Sequence, residues 1–269
     1  MSNRSIVCRG QILSFDKPRI MGIINITPDS FYAESRLGTA MDAILGKINE
    51  MLENGADIID IGACSTRPDS VPATEEEEWR RIASVLPHIT KSFPNTILSI
   101  DTYRPNVAKR CCDMGVAIIN DVTGGSSEMY DVVAAAGVPY VLTYAQSNVD
   151  NQLFPEVSRS LSLRMQELHE RGVSDVIVDP GFGFYKTLED NYFLMNHLEE
   201  FSIFNCPVLV GISRKSMIYK LLEGSPITSL NGTAVLNTIA VMKGADILRV
   251  HDVKECKEVI TIVEKLKSN

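Results

Sequence analysis

Polar residues able to do chemistry stand at the ends of short apolar runs in this chain, one run after another. Asp101 closes Ile97-Leu-Ser-Ile-Asp101, Asn120 and Asp121 close Ile118-Ile-Asn-Asp121, and Asp179 opens Asp179-Pro-Gly-Phe-Gly183. Gly211-Ile-Ser-Arg-Lys215 and Arg249-Val-His-Asp252 follow two later runs, and Asn25 and Arg67 stand at or beyond the first two. Carboxylates accept from ring N–H groups, while an amide and a lysine serve ring nitrogen and oxygen atoms. Asp101, Asn120, Asp179 and Lys215 therefore suit a heterocycle with an amino-pyrimidinone edge, and Arg67, Arg249 and His251 suit phosphate oxygens. Each has a structural alternative when taken singly. An Asp at a strand end is often the cap of the next helix, as Asp121 and Asp252 look to be; Arg249 can be an ion-pair partner, and His251 a histidine at the edge of a core. The repetition of polar strand ends favours a shared site.

The runs that carry these residues are Arg19–Ile26, Ile58–Ile61, Thr96–Ile100, Ala117–Asn120, Tyr140–Thr143, Asp175–Asp179, Pro207–Gly211 and Ile247–Val250. Their near-continuous apolar character fits strands covered on both faces. Longer amphipathic stretches separate them. Thr39–Asn54 stops at Gly55, and the helix from Thr74 to Ser92 opens with a capping box of Thr74 and Glu77. Pro105–Met114 starts with a proline where a helix tolerates one. Further helices are expected at Met129–Ala136, Ser158–Arg171, Thr187–Phe201, Asn231–Lys243 and Val253–Lys267, with a short one at Lys215–Leu222. Ser5–Phe15 reads as a hairpin closing the barrel bottom. Eight strand–helix alternations predict an α/β fold, a (β/α)8 TIM barrel with an N-terminal hairpin and one domain over 1–269; an open doubly wound sheet is the alternative. Sites in such barrels lie at the C-terminal strand ends, where the polar residues fall.

The chain has 269 residues, 45% hydrophobic and 22% charged, which suits a single globular core. A net charge of −8 argues against broad nucleic-acid binding. No apolar run reaches the length of a membrane span, and the start holds no secretory core, so a cytoplasmic location is expected. The six cysteines are scattered without metal-ligand spacing and read as reduced thiols. His88, His169 and His197 fall in helices as surface or packing residues, Ser65 and Ser213 lack a partner arrangement for a nucleophile, and Glu75–Glu78 reads as a solvated helix start.

Met21-Gly-Ile-Ile-Asn-Ile-Thr-Pro-Asp-Ser-Phe31 resembles the first-loop signature of the dihydropteroate synthases, and Ser65-Thr-Arg-Pro68 resembles their second loop. Ser99-Ile-Asp-Thr102, Ile119-Asn-Asp-Val-Thr-Gly-Gly125, Asp179-Pro-Gly-Phe-Gly-Phe184, Gly211-Ile-Ser-Arg-Lys-Ser216, Gly232-Thr-Ala234 and Arg249-Val-His-Asp252 continue the likeness over nearly the whole chain, in order. The resemblance implies a transferase of folate biosynthesis. It would join dihydropterin hydroxymethyl pyrophosphate to 4-aminobenzoate, use Mg2+ and form a homodimer. It implies that Asp101, Asn120, Asp179 and Lys215 hold the pterin, and that Asn25, Arg67, Arg249 and His251 hold the pyrophosphate, with Asn25 near Mg2+. Asp101, Lys215, Arg249 and His251 would carry catalysis. Thr66, Arg67, Pro68, Phe184 and Ser216 would border the aminobenzoate pocket, where sulfonamides bind in this family.

Two segments depart from the family pattern. Tyr32-Ala-Glu-Ser35 replaces an acid- and glycine-containing stretch, and Leu142-Thr-Tyr-Ala-Gln146 replaces a Met-His-Met-type end of the fifth barrel strand, where Tyr144 and Gln146 would alter what lies over the substrate. Two other functions fit the same barrel. A methyltetrahydrofolate-type methyltransferase has no use for Ser65–Pro68 or Ser213–Ser216, and a non-catalytic pterin-binding protein would have no reason to keep Asn25, Arg67, Lys215, Arg249 and His251.

Overall fold

A computed structural model describes residues 4–26, 37–64, 73–146 and 153–268. The chain opens with a hairpin, β1 (Ser5–Cys8) and β2 (Gln11–Ser14), paired antiparallel from Ser5 opposite Ser14 to Cys8 opposite Gln11. Its two-residue turn puts Arg9 at φ 49° and Gly10 at φ 81°, the left-handed pair that matches strand twist. Strand alternation turns Ile6, Cys8 and Leu13 inward and leaves Val7 and Ile12 in solvent.

The barrel strands are β3 (Arg19–Asn25), β4 (Ile58–Gly62), β5 (Ile97–Asp101), β6 (Ile118–Asp121), β7 (Tyr140–Thr143), β8 (Val176–Asp179), β9 (Leu209–Val210) and β10 (Ile247–Val250). All pair in parallel in the order β8-β7-β6-β5-β4-β3-β10-β9, and a parallel bridge from Val178 to Val208 joins the two ends. That closure sets the open sheet aside. The intervening helices are α1 (Leu37–Glu53), α2 (Glu75–Ser92), α3 (Pro105–Asp113), α4 (Ser127–Ala136), α5 (Leu153–Glu170), α6 (Leu188–Asn196), α7 (Ser216–Tyr219), α8 (Leu230–Met242) and α9 (Val253–Lys267). Three helices differ from expectation. α5 starts at Leu153, five residues before Ser158. The stretch Thr187–Phe201 breaks at His197 into α6 and a 3-10 helix over Leu198–Phe204, ended by Asn205 at φ 51°. Within Lys215–Leu222 only the single α-helical turn Ser216–Tyr219 forms.

Two cores result. Ile20, Ile24, Ile59, Ile61, Leu98, Ile100, Ile119 and Leu142 face outward and pack on the helices. Inside the barrel, Met21, Ile58, Ile97, Ile118, Val141, Ile177, Leu209 and Ile247 make an apolar floor, which the hairpin side chains Ile6, Cys8, Leu13 and Phe15 plug from below. Two residues further along each strand the same inward face reads Ile23, Asp60, Ser99, Asn120, Thr143, Asp179, Gly211 and Arg249. One step of the pleat therefore changes the barrel interior from apolar to polar at six of the eight strands, and the site rests on an apolar plug.

The expected capping box on α2 is present: Glu77 N–H donates to Thr74 Oγ1 at 3.2 Å and Thr74 N–H to Glu77 Oε2 at 3.0 Å. The acidic run behind it is not wholly solvated. Glu78 is fully buried and pairs with Arg104, which also donates to Ala73 O and to Tyr103 Oη (3.2 Å). Helical spacing turns the fourth acid of the run inward, and a base 26 residues later compensates it. Arg104→Ala leaves a buried carboxylate alone and is expected to lower stability by about 3–5 kcal/mol. The Glu78→Gln/Arg104→Met pair is expected to lose far less. Equal melting losses in the two proteins would contradict this account.

Candidate active site

The polar inner ring is organised around one guanidinium. Arg249, on β10, donates Nε–H to Asp60 Oδ2 (2.7 Å) and Nη2–H to Asp101 Oδ2 (2.6 Å). Asn120, on β6, donates Nδ2–H to the same Asp60 oxygen at 3.0 Å. Barrel closure is what permits this, because β10 neighbours β3 and so lies two strands from β4. Register places Asp101 beside Gly62 and Asn120 beside Asp101. Asn25, at the exposed end of β3, points its Oδ1 to within 3.3 Å of where a Cβ on Gly62 would stand, and Asp101 Cβ lies 3.6 Å from the same point. The small residue lets the ends of β3 and β5 approach over it.

Across the mouth, Asp179 Oδ1 accepts from Gly181 N–H at 2.7 Å, which fixes the turn after β8. Lys215 reaches over from the loop after β9 and donates Nζ–H to Phe182 O at 2.5 Å, with its nitrogen 4.5 Å from the Phe184 ring centroid. Ser216 opens α7 beside it. His251 sits after β10, its N–H donating to Ser213 Oγ at 3.3 Å. The structure thus brings Asp101, Asn120 and Arg249 into one network and joins Lys215 to Phe184 and the Asp179 turn. Thr66, Arg67, Pro68 and the Tyr32–Ser35 departure lie outside the described residues.

Burial shapes the charges. It raises Asp101 to about 7, against the pull of Arg249 and with repulsion from Asp60 and Asp121 adding to it. Asp179 is also raised by burial, opposed by Lys215 and by the Gly181 N–H bond. Lys215 is lowered to about 8 by burial, which outweighs the attraction of Asp179. Burial alone would lower Arg249, but Asp60 and Asp101 carry it above its ordinary value, so it stays a cation. Unpartnered buried atoms cluster here: Asp60 Oδ1, Ser99 Oγ, Asn120 Oδ1 and Thr143 Oγ1 lie on four consecutive strands. Such groups are costly unless a ligand or water meets them.

Several readings from the sequence change. Asp121 caps no helix. It accepts from Thr123 N–H (2.8 Å) and Oγ1–H (2.6 Å) and from Tyr140 Oη–H (3.0 Å), anchoring the turn after β6. Asp252 stands at the N-cap position of α9 but makes no cap bond; its carboxylate grips Arg214 at 2.8 and 2.7 Å. Tyr144 does not cover the site, because its side chain packs in the outer strand–helix core and Thr143 takes the inward position. Two residues of the site were missed. Asp60 is the one charged residue in Ile58-Ile-Asp-Ile-Gly62, a signal available in the sequence. Lys186, whose ammonium binds three carbonyls beneath the Asp179 turn, had only its closeness to Gly183 to mark it.

A closed parallel barrel with a buried charged ring opening at its C-terminal strand ends is the architecture of a (β/α)8-barrel enzyme. The family described as "Pterin binding enzyme" matches residues 21–251 of this chain. The dihydropteroate synthase of Escherichia coli strain K12 is 38% identical over 96% of this chain and 95% of its own. A dihydropteroate synthase structure from Xanthomonas albilineans with 4-aminobenzoic acid superposes with a TM-score of 0.92, at 34% identity and full coverage of both chains. A Yersinia pestis dihydropteroate synthase in a sulfonamide drug complex gives 0.91, at 35% identity over 98% of this chain and 100% of that one. The chain belongs to the pterin-binding enzyme family, among the dihydropteroate synthases.

Proposed function

We propose that this site joins 6-hydroxymethyl-7,8-dihydropterin pyrophosphate to 4-aminobenzoate, giving 7,8-dihydropteroate and pyrophosphate. The observation that carries the reading is the ring of Asp60, Asp101, Asn120 and Arg249, which offers unpaired polar atoms at the end of an apolar barrel floor. Asp101 and Asp179 accept from the ring N–H and amino groups of the pterin, and Asn120 and Lys215 serve its ring nitrogen and oxygen. Asn25, Arg67, Arg249 and His251 receive the pyrophosphate; Arg249 keeps guanidinium hydrogens beyond the two given to Asp60 and Asp101. Thr66, Arg67, Pro68, Phe184 and Ser216 border the aminobenzoate, which is the expected place for a sulfonamide.

In the reaction the CH2–O bond to pyrophosphate breaks with its electron pair leaving on oxygen, and the aniline nitrogen's lone pair forms the new C–N bond. The amine then releases one proton. Positive charge developing on the pterin is stabilised by the Asp101 carboxylate, and negative charge on the leaving group by Arg249 and His251. The aniline arrives neutral, so no strong base is required.

Mg2+ fits the mouth. Asn25 offers a hard oxygen at an exposed strand end beside Asp101, and Mg2+ typically takes one or two protein oxygens plus substrate phosphates. When bound there it would neutralise charge on the departing pyrophosphate. None of the described helices is long and apolar enough to cross a membrane. We also read the protein as a cytoplasmic homodimer, as its resemblance to the dihydropteroate synthases implies. Val235 and Met242 on α8 and Ile262 and Leu266 on α9 are exposed apolar residues on two helices packed together, a face that a second copy would cover.

Pyrophosphate release from purified protein with the pterin pyrophosphate, Mg2+ and 4-aminobenzoate tests the reading. Release that depends on 4-aminobenzoate and disappears with a chelator is expected. Tight pterin binding with no release would replace the enzyme by a binding protein.

A further inference from the structure

The loop between Asp179 and α6 carries both Phe182 O, the partner of Lys215, and the Phe184 ring. Besides the Asp179 and Asn191 side-chain oxygens that accept from Gly181 N–H and Gly183 N–H, one side chain ties it to a neighbouring strand. Lys186 donates Nζ–H to Tyr144 O (2.8 Å), Gly181 O (2.8 Å) and Phe184 O (3.1 Å), which uses all three hydrogens of an ammonium. The same nitrogen stands 4.8 Å from the Tyr144 ring centroid, a cation–π distance. The loop therefore ties back to the end of β7, a different strand from the one it follows.

The backbone is shaped for this contact. Gly181 lies at φ 71°, and a Cβ there would fall 2.1 Å from Tyr144 O, so the loop passes too close to β7 for any other residue. Tyr185 takes φ 52°, rare for a non-glycine residue; it is 74% exposed and precedes the inward turn of Lys186. Gly183 N–H closes the far side by donating to Asn191 Oδ1 at 2.6 Å. Nothing in the reaction above uses Lys186, yet it is held below the loop that carries Phe182 O and the Phe184 ring.

We propose that Lys186, backed by the Tyr144 ring, is a positioning residue that latches the Gly181–Phe184 loop to the end of β7 and so sets Lys215 and Phe184 for 4-aminobenzoate. The inference rests on the dihydropteroate synthase reading of the site. Arginine keeps a cation with several donors, arranged as a planar fork rather than a compact ammonium; methionine keeps the length and supplies neither. Burial pushes the Lys186 ammonium down to about 7 while Asp179 holds it up, so arginine also keeps the charge at every working pH.

Steady-state kinetics of Lys186→Met and Lys186→Arg test this. Partial unfolding lowers the apparent kcat and leaves KM alone, so KM separates positioning from mere stability. The KM for 4-aminobenzoate is expected to rise at least tenfold in Lys186→Met and to return within threefold of wild type in Lys186→Arg. An unchanged KM in folded Lys186→Met overturns the latch. Should that variant not fold, Tyr144→Leu decides, since it removes the ring and keeps every carbonyl: a two- to fivefold rise in KM supports the latch and an unchanged KM overturns it. Wild-type turnover is read first. Its absence defeats the activity reading, and calorimetric titration of pteroic acid then tests the latch alone, with at least fivefold weaker binding by Lys186→Met supporting it and equal binding overturning it.

Discussion

Replacing Arg249 with methionine is expected to abolish measurable turnover and to lower the free energy of unfolding by about 3–5 kcal/mol. Both losses come from one guanidinium. Asp60 is fully buried and Asp101 nearly so, and Arg249 is the cation bonded to each. Without it two carboxylates face each other in the barrel with only the Asn120 amide on one of them. They answer by binding protons. Asp101, already raised to about 7, moves higher once the pull of Arg249 is gone, and its useful charge is lost at neutral pH. For a barrel of this size the stability loss corresponds to a fall in Tm of about 6–20 °C. The double variant Asp60→Asn/Arg249→Met removes one orphaned charge along with its partner. It is expected to regain much of the Tm and none of the activity. Thermal unfolding and pyrophosphate release together check this, and an Arg249→Met protein that melts like wild type would show that the ring is not held by its ion pairs.

The contrast between Asp101 and Asp60 shows what the sequence made legible. Asp101, Asn120 and Asp179 end their apolar runs, where the mouth of a parallel barrel lies, so local pattern drew attention to them, although Asp121 at the same place anchors a turn instead. Asp60 lies one residue inside its run. Its role depends on the pleat turning it inward and on barrel closure bringing Arg249 to it from 189 residues away. The strand order was deducible as alternation, but closure is a property of accumulated twist and stagger that no single run encodes. Glu78 failed for the same reason in reverse: four consecutive acids look solvated, and only the tertiary partner Arg104 shows that one of them is not. Tyr144 and Thr143 show the limit of reading strand ends without a phase. A shift of one residue decides which of two neighbours faces the substrate, and the residue expected over the site belongs to the outer core instead.

Lys215→Ala is expected to lower kcat/KM by about 100- to 1,000-fold, the range for removing one preorganised donor from a shielded site. The shape of the pH profile makes the test specific. In the free enzyme kcat/KM reports the groups that must hold a given charge. Asp101 acts as a carboxylate, so activity falls as pH drops through about 7, where burial has placed it. Lys215 acts as an ammonium, so activity falls as pH rises through about 8. Wild type should therefore show a narrow optimum between these limbs. In a Lys186→Arg background, which keeps the latch charged, Lys215→Ala removes the basic limb along with the donor, leaving a low rate that no longer declines above pH 8. Asp101→Asn removes the acidic limb instead and leaves the basic one. The two residues lie on opposite sides of the mouth, one bonded to Arg249 and the other to Phe182 O, but the Asp101 carboxylate helps hold Lys215 charged, so Asp101→Asn should also move the basic limb to lower pH. A basic limb that persists unchanged in Lys215→Ala on that background would assign it to another group and remove Lys215 from the charged machinery of the reaction.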